Sequence, residues 1–335
     1  MSNKIFSISS AFVLGASFAV ADVPKVAVDI APVHSLVSKV MNGLGKPNLI
    51  IPAEASPHEY QLRPSEAKAL QEAKLVFWIG EDLTPWLEKG LSTLAKDATI
   101  TTLLKADGIE LLDFREGALF EAHDHSDHDD HDDHDDHDHG KHKKKDDHDD
   151  HDDHDDHAGH EGHDHGEHDP HAWLSPGIAK VWLNLIAAKL SEVDPSNAST
   201  YFSNASSANK DLDSLSDEIN KILDPIRKEK FVVFHDAYQY FEKHFNISAS
   251  GAISLGDASD PSPARLKEIK ERVEKEDIHC VLAEPQFNEG LVKAVIEGTH
   301  ANNAVIDPLG VSLEIGPNLY DKLIRNLAIN LSKCF

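Results

Sequence analysis

The chain has 335 residues and a formal net charge of −27, with 59 acidic side chains against 32 basic ones. That balance argues against nucleic acid or an anionic membrane surface as a partner. Once an N-terminal leader and one biased tract are set aside, the remaining length suits two domains of about 130 residues each.

Residues 1–4 carry one positive side chain, Lys4; residues 5–18 are mostly apolar, and Ala19-Val20-Ala21 offers a small-residue cleavage site. This is the pattern of a secretory signal peptide over 1–21, with the mature chain starting near Asp22. No later stretch reaches the roughly 20 apolar residues that a membrane span needs. No cysteine follows the cleavage site, which argues against a lipid anchor. The expectation is an exported, soluble protein.

Residues 25–31 are β-branched and apolar, a buried strand, and 32–43 follow with helical spacing. A strand at 48–51 leads into a loop ending in Ser56-Pro57-His58. A helix over 65–73, a strand over 75–80 and a helix over 85–94 complete the series. Strands alternating with helices at this interval predict βαβ units on a parallel sheet. In such sheets ligands bind outside the carboxyl ends of the strands.

Between 123 and 168 lie 16 of the 23 histidines, with 20 acidic residues and 4 lysines. The histidines are His123, His125, His128, His131, His134, His137, His139, His142, His148, His151, His154, His157, His160, His163, His165 and His168. With almost no apolar residues, the tract cannot offset its ordering entropy and reads as disordered. It is either a solvated acidic spacer or a labile metal binder. Acidity alone would not require so many imidazoles, which favours metal, although imidazole suits Zn, Cu, Ni and Fe alike.

Asp169-Pro170 biases the chain towards an extended or turned shape, and Ser175-Pro176 reads as an N-cap with a first-turn proline. His171 is thus held between a turn and a helix start. Helices follow over 178–190 and from Asp194-Pro195 to about Leu223, the latter long enough to act as a strut between two lobes. A second α/β series then begins: strands over 230–234 and 249–253, a helix over 263–275, a strand over 280–283, a helix over 288–298, a short strand over 305–306 and a helix over 317–331. Cys280 and Cys334 can pair in an oxidising compartment; the alternative is two buried thiols.

His58, His171 and His235 share one context, each following a strand or loop and preceding a helix. Taken singly, each reads as a structural histidine. Taken together, on the facing rims of two parallel lobes, they form a trio of imidazoles with a fourth place for carboxylate or water, which suits Zn²⁺. His34, His244, His279 and His300 read as structural or exposed. Glu59 and Asp236 either orient the neighbouring histidines or face solvent.

At these residues the chain resembles the zinc-binding solute-binding proteins of bacterial zinc ABC transporters, in the cluster A-I family of metal receptors. The matching segments are Ala-Ser-Pro-His-Glu-Tyr-Gln-Leu-Arg-Pro-Ser (55–65), Asp-Pro-His-Ala-Trp-Leu-Ser-Pro (169–176), Val-Phe-His-Asp-Ala-Tyr-Gln-Tyr-Phe (233–241), Ala-Glu-Pro-Gln-Phe (283–287) and Asp-Pro-Leu-Gly (307–310). The His/Asp insertion and the C-terminal cysteine pair also fit. The resemblance implies an α/β fold of two pseudo-equivalent lobes with mainly parallel sheets: 22–194 with the loop 123–168, a linking helix over 195–223, and 224–335. It implies zinc in the cleft on His58, His171 and His235, a periplasmic location, and a permease partner for a monomeric receptor.

Some relatives carry a glutamate ligand just before the first histidine, where this chain has Pro57. Relatives for manganese or iron replace the third histidine by a carboxylate, and His235 argues against that class. Asp307, after the last short strand, is the expected fourth ligand, with water as the alternative and capping of the turn before Pro308 as its other role. A zinc hydrolase would share the three histidines and water, yet no His-Glu-x-x-His helix is present. An extracytoplasmic metal buffer or metallochaperone using mainly the tract is the other reading.

Overall fold

The structure, a computed structural model, describes residues 23–115, 168–254 and 261–335. Two four-stranded parallel sheets carry the fold. The first holds β1 (Val26–Val28), β2 (Asn48–Leu49), β3 (Leu75–Trp78) and β4 (Thr99–Thr102), ordered β2-β1-β3-β4. The second holds β5 (Phe231–His235), β6 (Gly251–Ser254), β7 (Cys280–Ala283) and β8 (Asn302–Val305), ordered β6-β5-β7-β8. The second order repeats the first, so the expected pair of pseudo-equivalent α/β lobes is what the chain forms. The central strands β1, β3, β5 and β7 are buried throughout, as the Val, Ala, Leu and Phe runs of parallel strands covered on both faces should be.

The first strand is shorter than its apolar run. It stops at Val28, and α1 (Ala31–Val40) starts with Pro32 in its first turn, where a missing amide costs nothing. Next come α2 (Pro64–Glu72) and α3 (Pro85–Leu94). In α2, Glu66 receives the Arg63 amide at 2.7 Å, the return half of a capping box. The Ser175 cap is realised: its hydroxyl accepts the Ile178 amide at the start of α4 (Pro176–Val193).

The strut expected from 195 is α5 (Ala198–Leu223), because Pro195–Asn197 is spent on a 3₁₀ turn. Its 26 residues span about 39 Å at 1.5 Å per residue. Tyr201, Ala205, Ala208, Leu212, Leu215, Ile219 and Leu223 form its buried stripe, at the helical period that faces a core. The stripe packs on α1, α4 and the final helix α9 (Leu319–Ser332). Arg325 of α9 meets Glu218 of α5 through a two-pronged ion pair at 2.7 and 2.8 Å. One hydrophobic core therefore runs through both lobes, with a smaller cluster around Val232, Ile253 and Val281 in the second.

The second lobe's crossovers are α6 (Gln239–Phe245), α7 (Pro263–Lys275) and α8 (Glu289–Ile296). Cys280 on β7 and Cys334 after α9 form a disulfide, with 5.7 Å between their Cα atoms. Among the described residues, no helix is long and apolar enough to cross a membrane.

Candidate metal centre

His235 is the last residue of β5, at the carboxyl edge of the second sheet. Its Nδ1 meets the Glu284 Oε1 at 2.7 Å. Glu284 directly follows β7, the strand paired with β5, and is buried. Sheet register thus sets a carboxylate beside the ring.

His171 opens the 3₁₀ turn Ala172–Leu174. The Asp169 carboxylate accepts its amide at 3.0 Å and stands 2.7 Å from its Nδ1. Asp169 is fully buried, and burial pushes its carboxyl up to about 7, against the lowering pull of the His171 amide. Trp173, two residues on, donates its indole N–H to the Pro308 carbonyl at 2.8 Å, and Tyr320 of α9 donates to the Trp173 carbonyl at 2.8 Å. The loop that carries His171 is therefore stitched to the second lobe.

His58 sits in the loop between β2 and α2 and is half-buried. Trp86 in the first turn of α3 donates to the Pro57 carbonyl at 2.8 Å, and Tyr60 donates to Glu66 at 2.8 Å while its ring lies 5.9 Å from that of Trp86. Pro57, whose side chain has no donor atom for a metal, serves here as an anchor through its carbonyl.

The three predicted histidines meet across the cleft. Ring centroids are 5.5 Å apart for His58 and His171, and 5.3 Å for His171 and His235. Two imidazoles sharing one tetrahedral zinc through bonds of 2.0–2.1 Å would hold their centroids about 5.2 Å apart. His171 pairs with each of the other two rings; among the described residues, no group of three or more His, Cys, Asp or Glu side chains is already gathered closely enough to hold a metal ion. All three line one pocket, together with Ser56, Gln286 and Phe287.

Asp307, expected as the fourth donor, takes its other role. Its Oδ1 accepts the amides of Leu309 at 3.0 Å and Gly310 at 2.8 Å, and its Oδ2 that of Val311 at 2.6 Å. Gly310 makes the turn possible with φ of +80°. Pro308 and Leu309, not Asp307, line the cavity.

Glu59 is exposed, the second of its two readings, whereas Asp236 is buried against Arg115. The acids against the histidine Nδ1 atoms are Asp169 and Glu284, which lie inside the motifs 169–176 and 283–287. The available signals were the Asp two residues before His171 and the Glu directly after a strand.

His34 is buried and donates from Nε2 to the Pro47 carbonyl at 3.1 Å, while His244 lies between Ser175 and Ser216. His279 faces Glu229 and Asp277, and His300 is exposed. His168 stands 2.8 Å from Asp113; the other tract histidines, from His123 through His165, lie outside the described residues, as does the leader.

A family profile described as zinc-uptake complex component A, periplasmic, matches residues 26–334. The high-affinity zinc uptake system protein ZnuA of Brucella abortus is 47% identical over 309 residues, covering 92% of this chain and 91% of that protein. A crystal structure of ZnuA superposes with a TM-score of 0.70 at 21% identity, covering 93% of this chain and 99% of that one. The solute-binding protein FpvC of Pseudomonas aeruginosa, solved with Mn²⁺, gives 0.70 at 17% identity, covering 93% and 97%. These two structures are alike in fold.

Proposed function

The chain belongs to the family of periplasmic zinc-uptake components, and from that membership we propose that it captures Zn²⁺ and delivers it to the permease of an ABC transporter. Zinc is the cargo. His58 and His171 from the first lobe and His235 from the second supply three neutral nitrogens, and water completes the tetrahedron. A carboxylate on Nδ1 fixes the ring orientation of His171 and His235, raises ligand basicity and makes Nε2 the coordinating atom.

The observation that carries this reading is the pair of carboxylate–histidine contacts at 2.7 Å, on rings spaced for a shared ion. An all-imidazole protein set suits zinc over manganese, which prefers carboxylate and water. Zinc rather than nickel or copper rests on the family. The same site holds rather than transforms its ligand, so the protein is a receptor and not an enzyme. The tract over 123–168 is an auxiliary collector whose last histidine, His168, adjoins Asp169; metal caught there is held at high effective concentration beside the cleft.

Zinc titration of the full-length protein and of a 123–166 deletion tests this, with uptake measured under zinc starvation. The deletion should keep one tight site, lose several weaker equivalents, and slow uptake when zinc is scarce. In the deleted background His58→Ala, His171→Ala and His235→Ala should each weaken the tight site by orders of magnitude. Any of them binding like the parent removes that residue from the ligand set.

A further inference from the structure

The first lobe's chain reaches Arg115, and the described chain resumes at His168 beside Asp113, the two forming an isolated antiparallel bridge. The first turn of α6, from the other lobe, clasps this stem. Gln239 donates its amide to the Asp113 carbonyl at 3.0 Å and to the Asp169 Oδ2 at 3.2 Å. Tyr240 accepts the Leu112 amide at 3.0 Å and donates to the Asp169 carbonyl at 2.9 Å. The acid that orients His171 is thus held from the second lobe.

Arg115 closes the clasp. Its Nε donates to both Asp236 oxygens at 2.9 Å, and its Nη1 and Nη2 donate to the two Glu242 oxygens at 2.9 Å each. Nη2 also contacts Asp236 Oδ1. Both acids are buried. Asp236 is the residue after His235, and Glu242 lies one helical turn beyond Gln239. Burial works against the Arg115 charge, and the two carboxylates outweigh it, holding the guanidinium above its ordinary range.

We propose that Arg115 is a positioning residue for zinc: its fork onto Asp236 and Glu242 locks α6 to the stem and so keeps His235 and the Asp169–His171 pair in register across the cleft. This rests on the three-histidine reading above. Arginine suits the task because a rigid planar fork satisfies two carboxylates at once, which a lysine point charge cannot do. A clasp serving stability alone would be replaceable by neutral residues of similar size, as buried ion clusters often are. A clasp serving position would not.

The test compares the intact protein with Arg115→Lys and with the triple variant Arg115→Met/Asp236→Asn/Glu242→Gln, which leaves no buried charge unpaired. Each is measured for apo melting, for zinc affinity by chelator competition, and for the visible spectrum of bound Co²⁺. In the triple variant, zinc affinity should fall about tenfold or more, the range seen when support of a metal ligand is lost, and the cobalt bands should shift although the fold is retained. Arg115→Lys should show the same two changes, so the question stays open to decision if the triple variant does not fold. Parental zinc affinity with an unchanged cobalt spectrum in either folded variant overturns the proposal. An intact protein that fails to bind zinc at all overturns the three-histidine reading instead.

Discussion

Two imidazoles at the site are aimed by acids that no charge count would single out. Asp169 and Glu284 are buried and each spends an oxygen on an Nδ1 at 2.7 Å. Glu284→Gln and Asp169→Asn keep size but remove the charge, and each should lower zinc affinity about 10- to 100-fold without altering the ligands. Chelator competition checks this, and an unchanged affinity in both would leave the acids as ordinary core partners. That the three histidines converge on one pocket was legible in the sequence, because turn and cap residues frame them. Glu284 was not, because it reaches His235 only through the pairing of β5 with β7, a contact across 49 positions, whereas Asp169 lies two residues from its ring. Asp307 has a place at a strand end that fits a ligand, while its three bonds to the turn amides are visible only once the turn is folded.

His34 is a residue-scale device of stability. Burial holds it below the ordinary histidine value of 6.5, against the raising pull of the Pro47 carbonyl. Because the folded pKa is depressed, the unfolded chain takes up the proton first. The contribution is fully present above 6.5 and is lost as pH falls through the lower folded value. Melting followed from about pH 8 to pH 5 should decline more steeply for the parent than for His34→Gln. Parallel curves would show that His34 does not carry this acid sensitivity.

At the scale of elements, strands with continuous apolar runs are legible in the sequence and those without them are not. β4 (Thr-Ile-Thr-Thr) and β8 (Asn-Asn-Ala-Val) are largely exposed edge strands. Such polar composition carries no period-2 signal, so β4 went unpredicted and β8 was placed late. α6 is implied only as the helix that His235 precedes, without bounds, because its 7 residues are fewer than a periodic pattern needs to declare itself. The disulfide joins β7 to the residue after the last helix turn, closing a loop of 54 positions. The loop-entropy model gives about 4 kcal/mol for that closure. Urea unfolding of Cys280→Ser/Cys334→Ser should show a loss of that order, with exchange protection lost first around α9. A midpoint unchanged from the oxidised parent would mean that helix docking alone fixes the terminus.

The whole molecule is one sheet order used twice, bridged by a shared core rather than by a bare linker. α5 and α9 bury apolar stripes between the lobes, Trp173 and Tyr320 pin the His171 loop across the cleft, and the stem beside the tract is clasped by α6. On the proposed ligand set, zinc capture at such a seam needs small adjustments of rings that already pair about His171 at 5.5 and 5.3 Å. The central claim is that these rings are the zinc ligands. It is tested most directly by zinc-edge X-ray absorption on the protein deleted for 123–166 and loaded with a single equivalent of zinc. Three imidazole nitrogens at about 2.0–2.1 Å and one oxygen from water are expected. A shell with fewer than three imidazoles, or one dominated by carboxylate oxygen, would contradict it.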